Sequence, residues 1–247
     1  TDSIRYAKRI QEAIFPPEEL VKKLLPNSFI LFKPRDIVSG DFYWVEQIEN
    51  KILFSAVDCT GHGVPGAFMS IVGYNLLNDA VNEHKLKTPG PILDFLNKGV
   101  SNTLRQEEEH SKVKDGMDIS LCALENGILE FAGAENPLYL IRNNELQIIQ
   151  GDKHSIGIFL GEEIKQFTNN EIKTQKDDVL YIFSDGYADQ FGGTNGKKFK
   201  YTQLRNFLVS IHAKPMAEQK QLLENKFETW KGNLEQVDDI LVIGVRI

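Results

Sequence analysis

Apolar residues in this chain gather into short runs bounded by turn residues, and the runs separate by period. Stretches such as ILFSAV, VLYIF and ILVIGV are too short for helices and rich in β-branched and aromatic residues, so they read as buried strands. The same reading places strands near 28–34, 41–48, 51–58, 117–124, 128–132, 137–142, 145–149, 178–184 and 240–246. Helical patterning covers 3–14, 17–25, 66–84, 90–107, 200–211 and 216–230. The last two of these carry Leu204, Phe207 and Leu208, then Leu222, Leu223 and Phe227, on their inward faces. Strands and helices in this order imply an α+β fold with an antiparallel core.

Four aspartates punctuate the strand pattern. Asp41 opens DFYWV, Asp58 closes ILFSAVD, Asp185 closes VLYIFSD, and Asp238 stands just before ILVIGV. In an antiparallel sheet, strands that end at Asp58 and Asp185 finish on the edge where strands from Asp41 and Asp238 begin, so the four acids can converge. A hairpin centred on Glu49-Asn50 sets Ile48 opposite Lys51, Trp44 opposite Ser55 and Asp41 opposite Asp58. A three-residue loop would instead slip the register by one and split the acidic pair. Directly opposed like charges are unfavourable, so something positive belongs between them. Hard oxygen donors gathered from several strand ends suit magnesium or manganese better than zinc. A single strand-end Asp also serves as a turn former; four in one context favour a shared site.

Between the second acid and the next helix runs DCTGHGVPGAF, with glycines at 61, 63 and 66 and Pro65 suited to a first helical turn. Gly61 and Gly63 therefore precede a helix N-terminus whose free amides can receive an anion. Beside paired carboxylates, this points to phosphate held on metal. Two cations would lower the pKa of a water and stabilise charge on both sides of an in-line displacement, without a phosphoenzyme. Cys59 and Cys122 lack the following arginine that a cysteine-based phosphate loop needs, and they read as packing residues.

The segments VSGDFYW, AVDCTGHGVPGAF, IFSDGYAD and VDDILVIGV, in that order, resemble the PPM metal-dependent protein serine/threonine phosphatases, in their SpoIIE/RsbU-type bacterial branch. The likeness runs from about Pro34 to the C-terminus. It implies a four-layer α-β-β-α sandwich with two central antiparallel sheets and a site at one end for two Mn²⁺ or Mg²⁺ ions. Carried over by motif, Asp58 bridges both ions, Asp41 and the main-chain carbonyl of Cys59 hold one, and Asp185 and Asp238 complete the other. Asp238 matches the family's ligand, and sequence alone leaves Asp239 open. His62 becomes a candidate proton donor near the leaving oxygen. The implied activity is hydrolysis of phosphoserine or phosphothreonine, with a small phosphorylated anti-sigma-factor antagonist or related STAS-type partner as substrate. A catalytically silent phosphatase-like module that relays a signal is the alternative. A metal-dependent phosphoesterase for small molecules is a third reading.

Weaker candidates surround these. In VKDGMDISLCAL, Asp118 opens a strand and could reach a third metal, while Asp115 reads equally as a turn residue. Arg35 could contact phosphate or simply face solvent beside Lys33. His84, His110, His154 and His212 share no ligand spacing. Asn136 occupies a position where relatives often carry histidine. The glycine-rich segment GYADQFGGTNGKKFKY after Asp185 predicts a mobile gate.

At the N-terminus, Asp2 or Ser3 can cap a helix with the stripe Ile4, Ala7, Ile10 and Ile14, ended by Pro16-Pro17. That stripe either packs on the catalytic core or continues an upstream signalling helix that dimerises as a coiled coil. Residues 1–16 thus read as a linker helix and 17–247 as the phosphatase domain. Composition sets outer limits. The chain has 247 residues, 41% hydrophobic, enough for one large core. A net charge of −7 argues against nucleic acid. No run of 18 apolar residues exists, so no membrane contact is expected of this piece. Two cysteines give no disulfide framework, which fits a reducing cytoplasm. Opening at Thr1 without methionine fits a piece of something longer, with a sensor or membrane module upstream.

Overall fold

A computed structural model of the chain describes residues 2–104, 115–157 and 165–247. Helices α1 (Asp2–Ile14) and α2 (Glu18–Leu24) lead into strand β1 (Ser28–Lys33) and a hairpin of β2 (Phe42–Ile48) and β3 (Lys51–Cys59). Helix α3 (Gly63–Asn78) runs on through a π turn, Asp79–Glu83, to helix α4 (Pro89–Leu104). Six strands follow: β4 (Met117–Glu125), β5 (Ile128–Ala134), β6 (Leu138–Arg142), β7 (Glu145–Ile149), β8 (Asn170–Lys173) and β9 (Val179–Phe183). The chain ends with helix α5 (Gly186–Asp189), a short hairpin of β10 (Phe191–Gly192) and β11 (Lys197–Lys198), helices α6 (Lys200–Ile211) and α7 (Met216–Lys231), and strand β12 (Ile240–Arg246).

Strand alternation explains the layers. In β3, Leu53 and Val57 face α3 and α4, whereas Phe54 and Ala56 face the opposite way. In β9, Leu180 and Ile182 meet Phe54 and Ala56 across the seam between two sheets, while Val179, Tyr181 and Phe183 pack under α6 and α7. Both faces of these strands are buried over most of their length, which fits their largely apolar sequences. The sheets have orders β1-β12-β9-β6-β7 and β2-β3-β4-β5-β8, and every pairing in them is antiparallel. This is the α+β, four-layer sandwich. Trp44 is fully buried in the helix-facing layer, and its indole Nε1 donates to Asn78 Oδ1 at 2.8 Å, so its one polar atom is satisfied. No helix among the described residues is long and apolar enough to cross a membrane.

The first hairpin turns on two residues. Ile48 pairs with Lys51, Trp44 with Ser55 and Phe42 with Val57, with Glu49 at φ 54 taking the left-handed position. The expected strands all appear; the two-residue strands β10 and β11 are added, and so is β8. It is only four residues long with alternating exposure and no apolar run to announce it. The helix expected over 66–84 begins earlier, at Gly63, and its last turn is π. The last positions of the helix expected over 90–107 lie outside the described residues, as does His110.

Two expectations change. Ile10 of the α1 stripe is 45% exposed, and the buried position is Gln11. Positions 4, 7, 11 and 14 share one helix face, and Ile10 is turned about 100° away from Gln11. Gln11 Nε2 donates to Ser39 O and Ser70 Oγ, and its Oε1 accepts from Ser39 N, which fastens α1 to the loop before Asp41 and to α3. The segment after Asp185 is not a free loop. Tyr187, Ala188 and Phe199 are buried, the Tyr187 hydroxyl donates to Leu223 O, and Gly192 and Gly193 sit against Trp230. Its polar composition hid three buried anchors. Only the stretch from Gly193 to Lys198 is continuously exposed.

Candidate metal centre

The seam between the sheets is apolar along most of its length and acidic at one end. The alternation that aims Val45, Phe54, Ala56, Cys122, Leu241 and Ile243 into the seam aims Asp41, Asp58, Asp118 and Asp239 the same way. Asp58 pairs across β3 and β4 with Asp118. Asp41, one residue ahead of β2, continues the register that sets Phe42 opposite Val57, and so flanks Asp58 on the other side. From the second sheet, Asp185 follows β9 and its backbone N–H donates to Asp58 Oδ2 at 3.2 Å.

The Asp238-Asp239 pair divides its labour. Asp239 is 1% exposed, and its Oδ1 and Oδ2 accept from the backbone N–H groups of Arg35 at 2.7 Å and Gly40 at 2.8 Å. Those bonds pin the loop that presents Asp41. Asp238 keeps one oxygen on the Asp239 N–H and borders the open cleft. The cleft, about 250 Å³, is walled by Asp58, Asp118, Asp185 and Asp238, with Gly61 and His62 at its rim. Asp41 is 3% exposed and lies behind that wall. Gly40 and Gly66 let the turn after Asp58 close down, since a Cβ at either would come within 2.4 Å of Gly61 O.

Other candidates fall outside the cleft wall. The Arg35 guanidinium donates to Val237 O at 3.0 Å and faces solvent. Gly63 opens α3 at φ +63, and Asp115 precedes β4. His84 packs at a tilt against Phe95, His154 stacks on Phe167, and His212 Nδ1 meets Val209 O. Asn136 is buried, with its Nδ2 lacking a partner among the described residues. Cys59 borders the cleft, while its side chain packs in the layer under α3. Ser155 had no sequence signal, yet its hydroxyl donates to Asp118 Oδ1.

Burial, then the charge of Asp58, pushes Asp41 well above the ordinary carboxylate range. Burial and then Asp185 do the same to Asp58. Asp185 is pushed up to about 6, by burial first and then by Asp238. Asp118 and Asp238 are raised mainly by burial. Among the described residues, no Lys or Arg side chain pairs with any of these five acids, and Asp41 Oδ2 is buried without a partner. An orphaned carboxylate oxygen inside an all-oxygen donor set fits a hard divalent cation. No three acidic, imidazole or thiol groups among the described residues already converge as ion ligands. The fit is thus one of donor chemistry and uncompensated charge.

The family model Stage II sporulation protein E (SpoIIE) matches residues 49–247. That match starts after Asp41, but similar structures cover the segment. The SiaA-PP2C domain of Pseudomonas aeruginosa is 31% identical with a TM-score of 0.90, covering 100% of this chain and 96% of that one. A structure of the PP2C phosphatase domain with a regulatory-domain fragment of SpoIIE from Bacillus subtilis is 19% identical with a TM-score of 0.70. It covers 89% of this chain, which spans 62% of that longer one. The catalytic domain of the serine/threonine protein phosphatase PstP, in complex with 2 manganese ions, is 16% identical with a TM-score of 0.61, covering 89% of this chain and 96% of that one. At these lower identities the likeness is one of fold. No curated protein sequence matches the chain. The family match over most of its length and the SiaA-PP2C relative over all of it agree with the acidic sandwich edge: the chain belongs to the SpoIIE family and is a PPM-type serine/threonine phosphatase domain.

Proposed function

We propose that the acidic end of the seam is a divalent-metal site at which this domain hydrolyses phosphoserine or phosphothreonine in a partner protein. The observation that carries the reading is the burial of Asp41 beside Asp58, with one oxygen orphaned and no cationic side chain paired among the described residues. Asp41, Asp58, the main-chain carbonyl of Cys59, Asp185 and Asp238 would hold two Mn²⁺ or Mg²⁺ ions, and Asp118 a third. When bound, such ions lower the pKa of a water and draw charge from phosphoryl oxygens. Asp239 keeps the Asp41 loop in place through Arg35 N and Gly40 N. The amides of Gly61 and Gly63, at the start of α3, offer donors to phosphate, with Arg35 beside Asp238 as a further positive group. His62 at the rim supplies a proton to the leaving oxygen.

The substrate that the family resemblance suggests is a phosphorylated STAS-type anti-sigma-factor antagonist, or a related partner. The domain would act in the cytoplasm as the output of a larger signalling protein, with α1 as its link and a dimer contact. Turnover of a phosphoserine or phosphothreonine peptide should require added Mn²⁺ or Mg²⁺ and stop in excess chelator. Asp58→Asn should lower turnover by at least ~10³-fold, equivalent to about 4 kcal/mol in the barrier, without unfolding the domain. Full activity in chelator, or in Asp58→Asn, would remove the metal site from the reaction. Metal binding by calorimetry without any turnover, with or without a partner, would favour a silent relay module.

A further inference from the structure

Asp36 sits in the connection between β1 and β2, on a loop that the Asp239 carboxylate grips through the backbone N–H of Arg35 on one side and of Gly40 on the other. Its Oδ2 lies 2.8 Å from His62 Nδ1. A carboxylate has no proton to give, so the imidazole donates and Nδ1 carries the hydrogen. The pinned loop and the turn after Asp58 therefore meet at this contact, and Asp239 ties the first of them to the approach to β12. His62 is half-exposed and borders the cleft together with Asp58, Asp185 and Asp238. Without a second contact, such a side chain would sample several rotamers.

We propose that Asp36 is a positioning residue for phosphate-ester cleavage: it fixes the His62 ring with Nδ1 toward itself and leaves Nε2 to protonate the departing serine or threonine oxygen. This rests on the reading of the cleft as a phosphatase site. As the oxygen of a water bonds to phosphorus, the bond from phosphorus to the side-chain oxygen breaks, and its electron pair stays on that oxygen. That oxygen takes the Nε2 proton of a doubly protonated His62 ring, since the neutral ring with its hydrogen on Nδ1 has none there to give. His62 keeps the Nδ1 proton facing Asp36, the attacking water releases its surplus proton to solvent, and Nε2 is reprotonated from solvent. General-acid assistance of this kind contributes about 10²–10⁴-fold, and a ring left free to turn forfeits part of it. An exposed His–Asp pair contributes little to stability, so removing it should spare the fold.

The test compares leaving groups in Asp36→Ala. With a phosphoserine peptide, whose alkoxide must be protonated as it leaves, kcat should fall about 10-fold or more with KM little changed. With p-nitrophenyl phosphate, whose leaving oxygen needs no proton, the loss should stay within about threefold. Asp36→Asn keeps an oxygen for the Nδ1 hydrogen and should lie between Asp36→Ala and the native domain. Nitrogen-15 NMR of the metal-free protein gives a readout independent of turnover. His62 should hold its neutral-form proton on Nδ1 in the native domain, and Asp36→Ala should mix the two tautomers. Equal losses on both substrates, no loss on either, or an Nε2-protonated His62 in the native protein would each overturn the assignment. If p-nitrophenyl phosphate is not turned over at all, the phosphatase reading of the cleft fails, and the tautomer measurement still decides the placement of His62.

Discussion

Strand β9 has a carboxylate withdrawn from water near each end, Asp178 fully and Asp185 partly, and the chain treats the two oppositely. Ahead of it, Asp178 is 1% exposed and fully answered. Its Oδ1 accepts from Arg142 Nε at 2.9 Å, and its Oδ2 from Arg142 Nη2 at 2.6 Å and from Gln175 N at 2.8 Å. Just beyond the other end, Asp185 joins Asp41, Asp58, Asp118 and Asp238, and no Lys or Arg side chain among the described residues pairs with any of them. Burying a carboxylate is therefore not what marks a site here. The mark is the withholding of a cation that the same fold supplies at the other end of the strand, seven residues away.

The comparison breaks most sharply at the compensated end. Arg142→Met leaves Asp178 buried with no counter-charge and should cost about 3 kcal/mol, the low end for a broken buried pair, because the Arg142 side chain is 18% exposed. Thermal or denaturant unfolding measures it. Adding Asp178→Asn in the same background should recover most of the loss, since the charge then goes with its partner. A midpoint unmoved by Arg142→Met would mean the two ends do not differ in how they hold their acids.

At the acidic end the sign reverses. Asp185 has a folded pKa of about 6, above the unfolded value near 4, so the fold is favoured with the carboxyl protonated. That advantage is complete below about pH 4 and is lost as pH rises through about 6. In chelator, Asp185→Asn should thus be more stable than the native domain at pH 8, by on the order of 1–3 kcal/mol, and the gap should close toward pH 4. With Mn²⁺ added, the native domain should gain stability through binding and the variant should gain less. If Asp185→Asn is less stable than native in chelator at pH 8, the acidic end is not under electrostatic stress.

Much of this contrast is legible in the sequence. A two-residue turn at Glu49-Asn50 sets the register of the first hairpin, and strand alternation then carries Asp41, Asp58 and Asp118 into the seam. The layers follow from apolar runs buried on both faces. Less legible are contacts that need a third dimension. The sequence prefers Asp238 to Asp239 only through the family motif, and it takes the backbone N–H groups of Arg35 and Gly40, about two hundred residues upstream, to mark Asp239 as the clamp. Asp36 had no signal because its partner lies 26 positions away across a loop. Gln11 carries no signal because a polar residue on an amphipathic helix defaults to solvent, yet its amide finds three partners in the interior. The segment after Asp185 misled through composition. Glycine and lysine outnumber Tyr187 and Phe199 there, but two buried rings suffice to hold it.

The smallest effect tests whether neutral donors at the acidic end do any of the work a cation does at the other. Ser155 Oγ donates to Asp118 Oδ1, and that bond offsets part of the rise that burial imposes on the carboxyl. A bond that lowers a folded carboxyl pKa stabilises the fold where the group is ionised, and the contribution is lost as pH falls through that pKa. Ser155→Ala in chelator should then cost about 1 kcal/mol at pH 8 and progressively less in acid, because Asp118 is only partly buried and water can replace the hydroxyl. The pH dependence runs opposite to that of Asp185→Asn, so the two variants measured on one buffer series separate a donor's contribution from a charge's penalty. Should Ser155→Ala cost as much as Arg142→Met, a single hydroxyl would be matching a guanidinium, and the distinction between the two ends of the strand would not survive.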